Sequence, residues 1–365
     1  MEGKKVRDTN SFTRKRGYAL KIISDFDDTI VCSGATPKFA GCDNRLPRKA
    51  IYPGVLTLWK ELDHCFTKSL RTSMIPVMNV SSEKEARASA TILSVPAEAD
   101  GARIPACQQA GSNIILLSAR PRSYKGWSEA AFYSAVIKPL VKSGRLYCLP
   151  VLLMGSVGSI LQAIVMYFTR QTLIPGFNGI KHIVYQMLGE RKVQNFKAFS
   201  DCYPESSFLF FGDNGQGDVY FAEAVNSLQE LESDEAEEHG RLFASFIHIV
   251  RPLAQTVSAS CTQCGACERE HLLGSMLDAD CHMHETHVAM ATKCLSLQLI
   301  DEGSLVRVIR DAINEFRFIM AKYPDQRDRW SRYARAMKRD VLEGLKAVSE
   351  DMRLGTDELK YLDVE

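Results

Sequence analysis

Ala19-Leu20-Lys21-Ile22-Ile23-Ser24-Asp25-Phe26-Asp27-Asp28-Thr29 is the stretch that decides how this chain is read. Residues 19–24 form a short apolar run of strand length, and the acidic cluster follows at once. Asp25 and Asp27 are two apart, so in extended backbone both side chains leave on the same side. Carboxylates crowded there repel one another unless a cation sits between them. In an open α/β sheet the carboxyl end of a strand is also where ligands bind.

Similar runs recur along the chain. Residues 114–118, 147–154, 208–212 and 243–250 read as four further strands. Helix-length segments lie between them at 54–62, 128–143, 192–202 and 219–231. Strands that alternate with helices imply βαβ units and a mostly parallel sheet. Ile-Ile-Leu-Leu at 114–117 and Phe-Leu-Phe-Phe at 208–211 suit strands buried on both faces. The expected fold is therefore α/β: a doubly wound, mostly parallel, Rossmann-like sheet. A helical C-terminal extension follows. Leu305, Val308, Ile309, Ile313, Phe316 and Met320 keep one apolar face, as do Trp330, Tyr333, Met337, Val341, Leu345 and Val348, and Pro324 separates the two helices.

Three more pieces carry chemistry. The Phe-rich strand runs into Gly212-Asp213-Asn214-Gly215-Gln216-Gly217-Asp218. Asp213 is thus expected at the same sheet edge as Asp25 and Asp27. Such an oxygen-only site suits Mg²⁺ that keeps several waters. Glycines there let backbone approach a phosphate. The strand at 114–117 ends in Ser118, a hydroxyl at that same edge, and Lys192 opens the helix predicted before the Phe-rich strand.

In this order the four pieces resemble the haloacid-dehalogenase-like (HAD) phosphatases, whose pattern is DxDx(T/V), a strand ending in Ser/Thr, a Lys, and GDxxxxD. More narrowly, Ser24 to Ile30, Tyr52-Pro53-Gly54-Val55, Lys192 with Asn195-Phe196, Tyr203-Pro204, Gly212 to Gln216 and Phe246 to Leu253 look like the catalytic domain of the actin-patch-associated phosphatidate phosphatases. The resemblance spans roughly residues 17–253. Two departures lie near the pocket: Ala119-Arg120-Pro121 replaces the usual Asn-Ser-Pro-Trp, and Asp218-Val219-Tyr220 replaces Asp-Pro-Glu.

This resemblance implies a Mg²⁺-dependent phosphomonoester hydrolase. Asp25 would be the nucleophile, Asp27 the general acid and base, and Thr29 a shaper of the turn. Ser118 and Lys192 would hold phosphoryl oxygens. Asp25, the Asp27 carbonyl and Asp213 would ligate the metal, with Asp218 supporting the last loop. Lys181 and Lys197 also precede the fourth strand. Lys192 is preferred because it starts the predicted helix and stands twelve residues before Pro204, as in the resembled group. Phosphatidate is the implied substrate. A soluble phosphometabolite or phosphoprotein, or a non-catalytic lipid-binding scaffold, are the alternatives.

Cys261, Cys264 and Cys267 are spaced C-x2-C-x2-C, and Cys281, His282, His284 and His287 follow. Zn²⁺ could take Cys261 and Cys264 with two ligands from the second group, since C-x2-C is metal-ligand spacing. The competing reading is an exposed, reduced loop.

The 365 residues divide as a basic tail (1–17), a phosphatase-like domain (18–255) with a low-periodicity insertion expected to be disordered (67–113), the Cys/His-rich insertion (256–290) and a helical region (291–365). Residues 151–169 carry no charge, but their Gly/Ser content reads as strand, turn and helix rather than a membrane span. With 45 basic and 44 acidic residues there is no global pull toward nucleic acid. The charged tail lacks the apolar core of a secretory signal, so a cytoplasmic protein with reduced thiols is expected. Residues 322–339 hold seven Lys/Arg beside Trp330 and Tyr333. That helix either packs its apolar stripe on the core or meets a membrane surface through its basic face.

Overall fold

In the computed structural model the described residues are 19–35, 42–74, 113–121, 133–146, 149–155, 180–232, 241–256, 273, 274, 276, 280–355 and 359. The basic tail, most of the 67–113 insertion, Cys261, Cys264, Cys267 and the helix expected near 160–168 lie outside them.

The strands are β1 (Ala19–Ser24), β2 (Ile114–Pro121), β3 (Val151–Gly155), β4 (Ser206–Asp213), β5 (Leu242–His248) and β6 (Cys281–His284). They form one sheet in the order β3-β2-β1-β4-β5-β6, with every pairing parallel. The doubly wound α/β class is thus the fold of this chain. Five strands were expected, and the sixth falls where a loop was expected.

The helices are α1 (Val55–Met74), α2 (Lys138–Lys142), α3 (Ile180–Ser200), α4 (Asp218–Glu232), α5 (His287–Ser296), α6 (Glu302–Lys322) and α7 (Arg327–Lys346). Strand periodicity divides the core into two layers. Ile22 of β1 and Leu209 and Phe211 of β4 face one way, among Val55, Leu58 and Trp59 of α1, Val308 and Phe316 of α6, and Tyr333 and Met337 of α7. Ile23, Phe208 and Phe210 face the other way, among Phe196 of α3 and Val219, Phe221 and Val225 of α4. Each such side chain taken fully out of water contributes about 1.5–3 kcal/mol. Burial on both faces is why β4 reads as an unbroken apolar run.

The C-terminal helices complete the first layer. Asp301 caps α6 by accepting the Ser304 N–H at 2.7 Å. Glu61 of α1 accepts from both Arg307 nitrogens at 2.7 Å and from the Ser304 hydroxyl at 2.8 Å. Helix α7 buries Trp330, Tyr333, Met337 and Val341, while Arg332 and Arg335 are exposed.

Three boundaries differ from expectation. Helix α1 continues to Met74, into the predicted insertion. The helix expected at 128–143 is a π-helical turn (Tyr133–Ile137) followed by α2; Pro139 near the junction has no N–H to continue a regular ladder. Helix α3 begins at Ile180, so Lys192 sits past its middle and does not open it. Gly189 reads as a breaker in sequence, yet the helix runs through it. No helix among the described residues is long and apolar enough to cross a membrane.

Candidate active site

From β1 the strand order runs one way to β2 and β3 and the other way to β4, β5 and β6, so the crevice between the ends of β1 and β4 is the topological switch point. Asp25 follows β1 directly and Asp213 ends β4. Parallel pairing holds them side by side: the Asp25 N–H donates to the Phe211 carbonyl at 2.8 Å. The loop after β4 brings in Asp218, whose Oδ2 accepts the Asp213 N–H at 3.1 Å. Carboxylate oxygens of Asp25, Asp213 and Asp218 all lie within 4.8 Å of one another, and all three residues are buried.

Lys192 enters this cluster from α3. Its Nζ donates to Asp25 Oδ1 at 2.8 Å and to Asp218 Oδ1, and only 2% of the residue is exposed. Lys197 is exposed one helical turn further on. Lys181 belongs to the same helix, with its side chain outside the described set. The preference for Lys192 therefore agrees with the geometry, although the reason first given, a helix start, does not.

Three buried carboxylates crowd around one ammonium. Burial pushes the Asp25 carboxyl up to about 7 while the Lys192 charge holds it down. Burial, then the Asp218 and Asp25 charges, raise Asp213 well above the usual carboxylate range. Burial alone would lower Lys192, but the Asp218 and Asp25 carboxylates raise it. Asp213 Oδ2 is buried with no hydrogen-bond partner among the described residues. An orphaned oxygen beside two other carboxylates is what a hard divalent cation would satisfy. The residues present fit Mg²⁺.

Asp27 is half-buried at the same edge, outside the carboxylate cluster, and its backbone bridges Val31. Thr29 is buried in that turn, and its hydroxyl lacks a hydrogen-bond partner among the described residues. Ser118 pairs with Met154 within β2, the strand beside β1, which runs on through a register shift to Pro121 instead of ending at the Ser; its side chain is outside the described set.

Sequence reasoning missed the residue that builds the first loop. Asp28 sits at φ 62°, a conformation Asp tolerates better than most residues. Its carboxylate accepts from the Ser33 N–H (2.9 Å), the Ser33 hydroxyl (3.0 Å), the Asp43 N–H (3.1 Å) and the Cys42 N–H. Its carbonyl accepts from His248 Nδ1 at 2.7 Å. Burial, then the Arg45 charge, depress His248 to about 4, so the ring is neutral. Its Nε2 lies 3.0 Å from Arg45 Nη2 and 3.1 Å from the Glu285 carbonyl. Asp43 in turn accepts from Arg45 and from the Tyr52 hydroxyl at 2.6 Å. Asn214 ties the loops after β4 and β5 together, accepting from the Val250 and Arg251 N–H groups at 2.8 and 3.1 Å. A third Asp in the run and an Asn between Asp and Gly were the only local signals.

Of the Cys/His segment, the described residues Cys281, His282, His284 and His287 do not converge on one point, while Cys261, Cys264 and Cys267 lie outside the described residues. Cys281 faces the α3/α4 layer, whereas His282 and His284 lie beside Phe246 on the opposite face of β6, as strand alternation requires. His287 is buried at the start of α5, 5.1 Å from the His248 ring. Residues 281–284 are thus a paired edge strand and not an exposed loop. Among the described residues the carboxylate triad is the one potential metal-binding group.

Comparison with protein-family models, with curated proteins and with solved structures finds no match in any of the three. The fold and the site define the class: a doubly wound α/β protein with a buried carboxylate–lysine cluster at its switch point.

Proposed function

We propose that this chain is a Mg²⁺-dependent HAD-type phosphomonoester hydrolase that works through an aspartyl-phosphate intermediate. One observation carries the reading: buried Lys192 bridges Asp25 and Asp218 beside Asp213, at the crevice between β1 and β4. It brings together residues 25, 192, 213 and 218, to which the sequence resemblance gives roles.

Asp25 must be ionised to attack phosphorus, and the Lys192 ammonium favours that form despite burial. As the Asp25–phosphorus bond forms, the bond to the leaving oxygen breaks, and Asp27 gives that oxygen its proton. Water then attacks the acyl phosphate and passes a proton to Asp27; phosphate leaves and Asp25 is restored. Lys192 offsets charge on the transferring oxygens, and Ser118 of the neighbouring strand would share that role, as the resemblance implies. Asp25 and Asp213, with the Asp27 carbonyl, would hold Mg²⁺, which supplies charge neutralisation and orientation when bound. Asp218 positions both Lys192 and the Asp213 loop.

Phosphatidate is the substrate the resemblance implies. A cytoplasmic enzyme reaching a bilayer through the outward Arg332 and Arg335 of α7 would follow; reversal of both to Glu would then reduce binding to anionic vesicles. A soluble phosphomonoester is the second reading. The test is phosphate release from an aryl phosphate and from phosphatidate in mixed micelles, with Mg²⁺ or EDTA. Metal-dependent release lost in Asp25→Asn supports the hydrolase. Release that persists in Asp25→Asn removes it.

A further inference from the structure

Arg251 follows β5 and turns back over the Asp213 loop. Its Nη2 donates to Cys42 Sγ, and that thiol lies 3.4 Å from the Gly215 carbonyl, two residues past Asp213. Its guanidinium lies over the ring of Tyr185, 5.4 Å from the centroid. Tyr185 stands on α3 seven residues, about two turns, before Lys192, so both side chains leave the helix toward the site.

Among the described residues the partners of this cation are neutral. Burial, then the Asp213 charge, push the Cys42 thiol up to about 11, and burial raises the Tyr185 phenol. Among the described residues no carboxylate pairs with Arg251. Its Nε is buried with no hydrogen-bond partner among them. Arg45, Arg145, Arg307 and Arg339, by contrast, each hold a carboxylate. A half-buried guanidinium held by an aromatic face, a thiol and, at 3.5 Å, the Gln255 carbonyl keeps further Nη hydrogens that an oxyanion from outside the chain could take.

Arg251 hydrogen-bonds to none of Asp25, Lys192, Asp213 and Asp218, so that oxyanion need not be the reacting phosphoryl group. Neighbouring strands are about 4.8 Å apart, and β5 lies two strands from β1, whereas Asp25, Lys192 and the metal ligands cluster at β1 and β4. We infer that Arg251 binds a second acidic group, carboxylate or phosphate, on the leaving part of the substrate. This rests on the hydrolase reading and narrows it. A diacylglycerol leaving group carries no acid, so Arg251 favours a soluble phosphomonoester bearing a second anion over phosphatidate.

Binding of non-hydrolysable phosphonates to the full chain in Mg²⁺, followed by calorimetry, tests this without turnover. Alkylphosphonates are compared with ω-carboxyalkylphosphonates and alkane bisphosphonates of matched length. The expected result is binding at least about tenfold tighter for one of the two acids at some chain length, which a bidentate guanidinium contact readily supplies. In Arg251→Gln that ratio falls to within about threefold, and Arg251→Lys keeps part of it, since charge remains without the fork. No preference at any length in the wild type overturns the inference whatever the variants do. A preference that survives in Arg251→Gln overturns it too. Failure of the hydrolase reading is seen separately, as phosphate release insensitive to Asp25→Asn.

Discussion

Gly189 of α3 and Gly217 of the Asp213 loop meet backbone to backbone: a Cβ on Gly217 would stand 2.7 Å from the Gly189 nitrogen and would also strike the Tyr185 carbonyl. This close approach lets α3 lie low over the loop. Lys192, three residues after Gly189 and on the same helix face, then reaches Asp25 and Asp218. Gly217→Ala should therefore push α3 outward. We expect a stability loss of about 1–3 kcal/mol, as for other overpacked sites. Phosphate release should fall more than substrate binding does. Urea unfolding and kcat measured together check both.

Removing the ammonium leaves Asp25 and Asp218 buried as like charges. Lys192→Met should cost about 3–5 kcal/mol of stability, the range for breaking a buried pair. The rate should fall about 10²–10³-fold, as when a transition-state charge partner is lost. Combining it with Asp218→Asn should recover part of the stability and none of the rate. A double-mutant cycle in urea, with kcat for each protein, is the measurement.

Asp213 Oδ2 has no hydrogen bond among the described residues to lose. Asp213→Asn should thus keep the fold and unload the metal. The loss of Mg²⁺ affinity should exceed the roughly 10–100-fold of an outer-shell change, because a ligand itself is altered. Calorimetric titration with Mg²⁺ reads it. Unchanged affinity would place the cation elsewhere.

Burial, then the neighbouring His282, depress His284 to about 3. Its folded pKa lies below the unfolded value near 6.5, so the unfolded chain binds the extra proton between these values. This contribution to stability is complete above pH 6.5 and is lost as pH falls toward 3. Asp25, raised to about 7, acts with the opposite sign, so the comparison must be differential. Between pH 7 and 5 the wild type should lose about 1–2 kcal/mol more than His284→Gln. Urea midpoints at the two pH values check this.

Much of the frame was legible in the chain. Residues 19–24, 114–118 and 208–212 announce buried parallel strands because each is an apolar run between helix patterns. Asp25 and Asp213 could be placed at one edge because each directly follows such a run. The edge strand β6 was not legible: Cys-His-Met-His pairs only with β5 and is covered unevenly, so it lacks the apolar run of a central strand. The start of α3 was not legible: the helix runs through Gly189, which meets Gly217 in a loop 28 positions away.

What the sequence by itself determined is therefore the fold class, the strand ends and the acidic residues on them, all set by local periodicity and polarity. Only the tertiary structure decided that Lys192 stands between Asp25 and Asp218, that Asp28 organises the first loop, and that Arg251 lies on Tyr185 without a carboxylate among the described residues. Those relations join residues far apart in the chain, and their energies depend on burial and on which charges end up adjacent. Neither quantity exists until the helices have closed over the sheet.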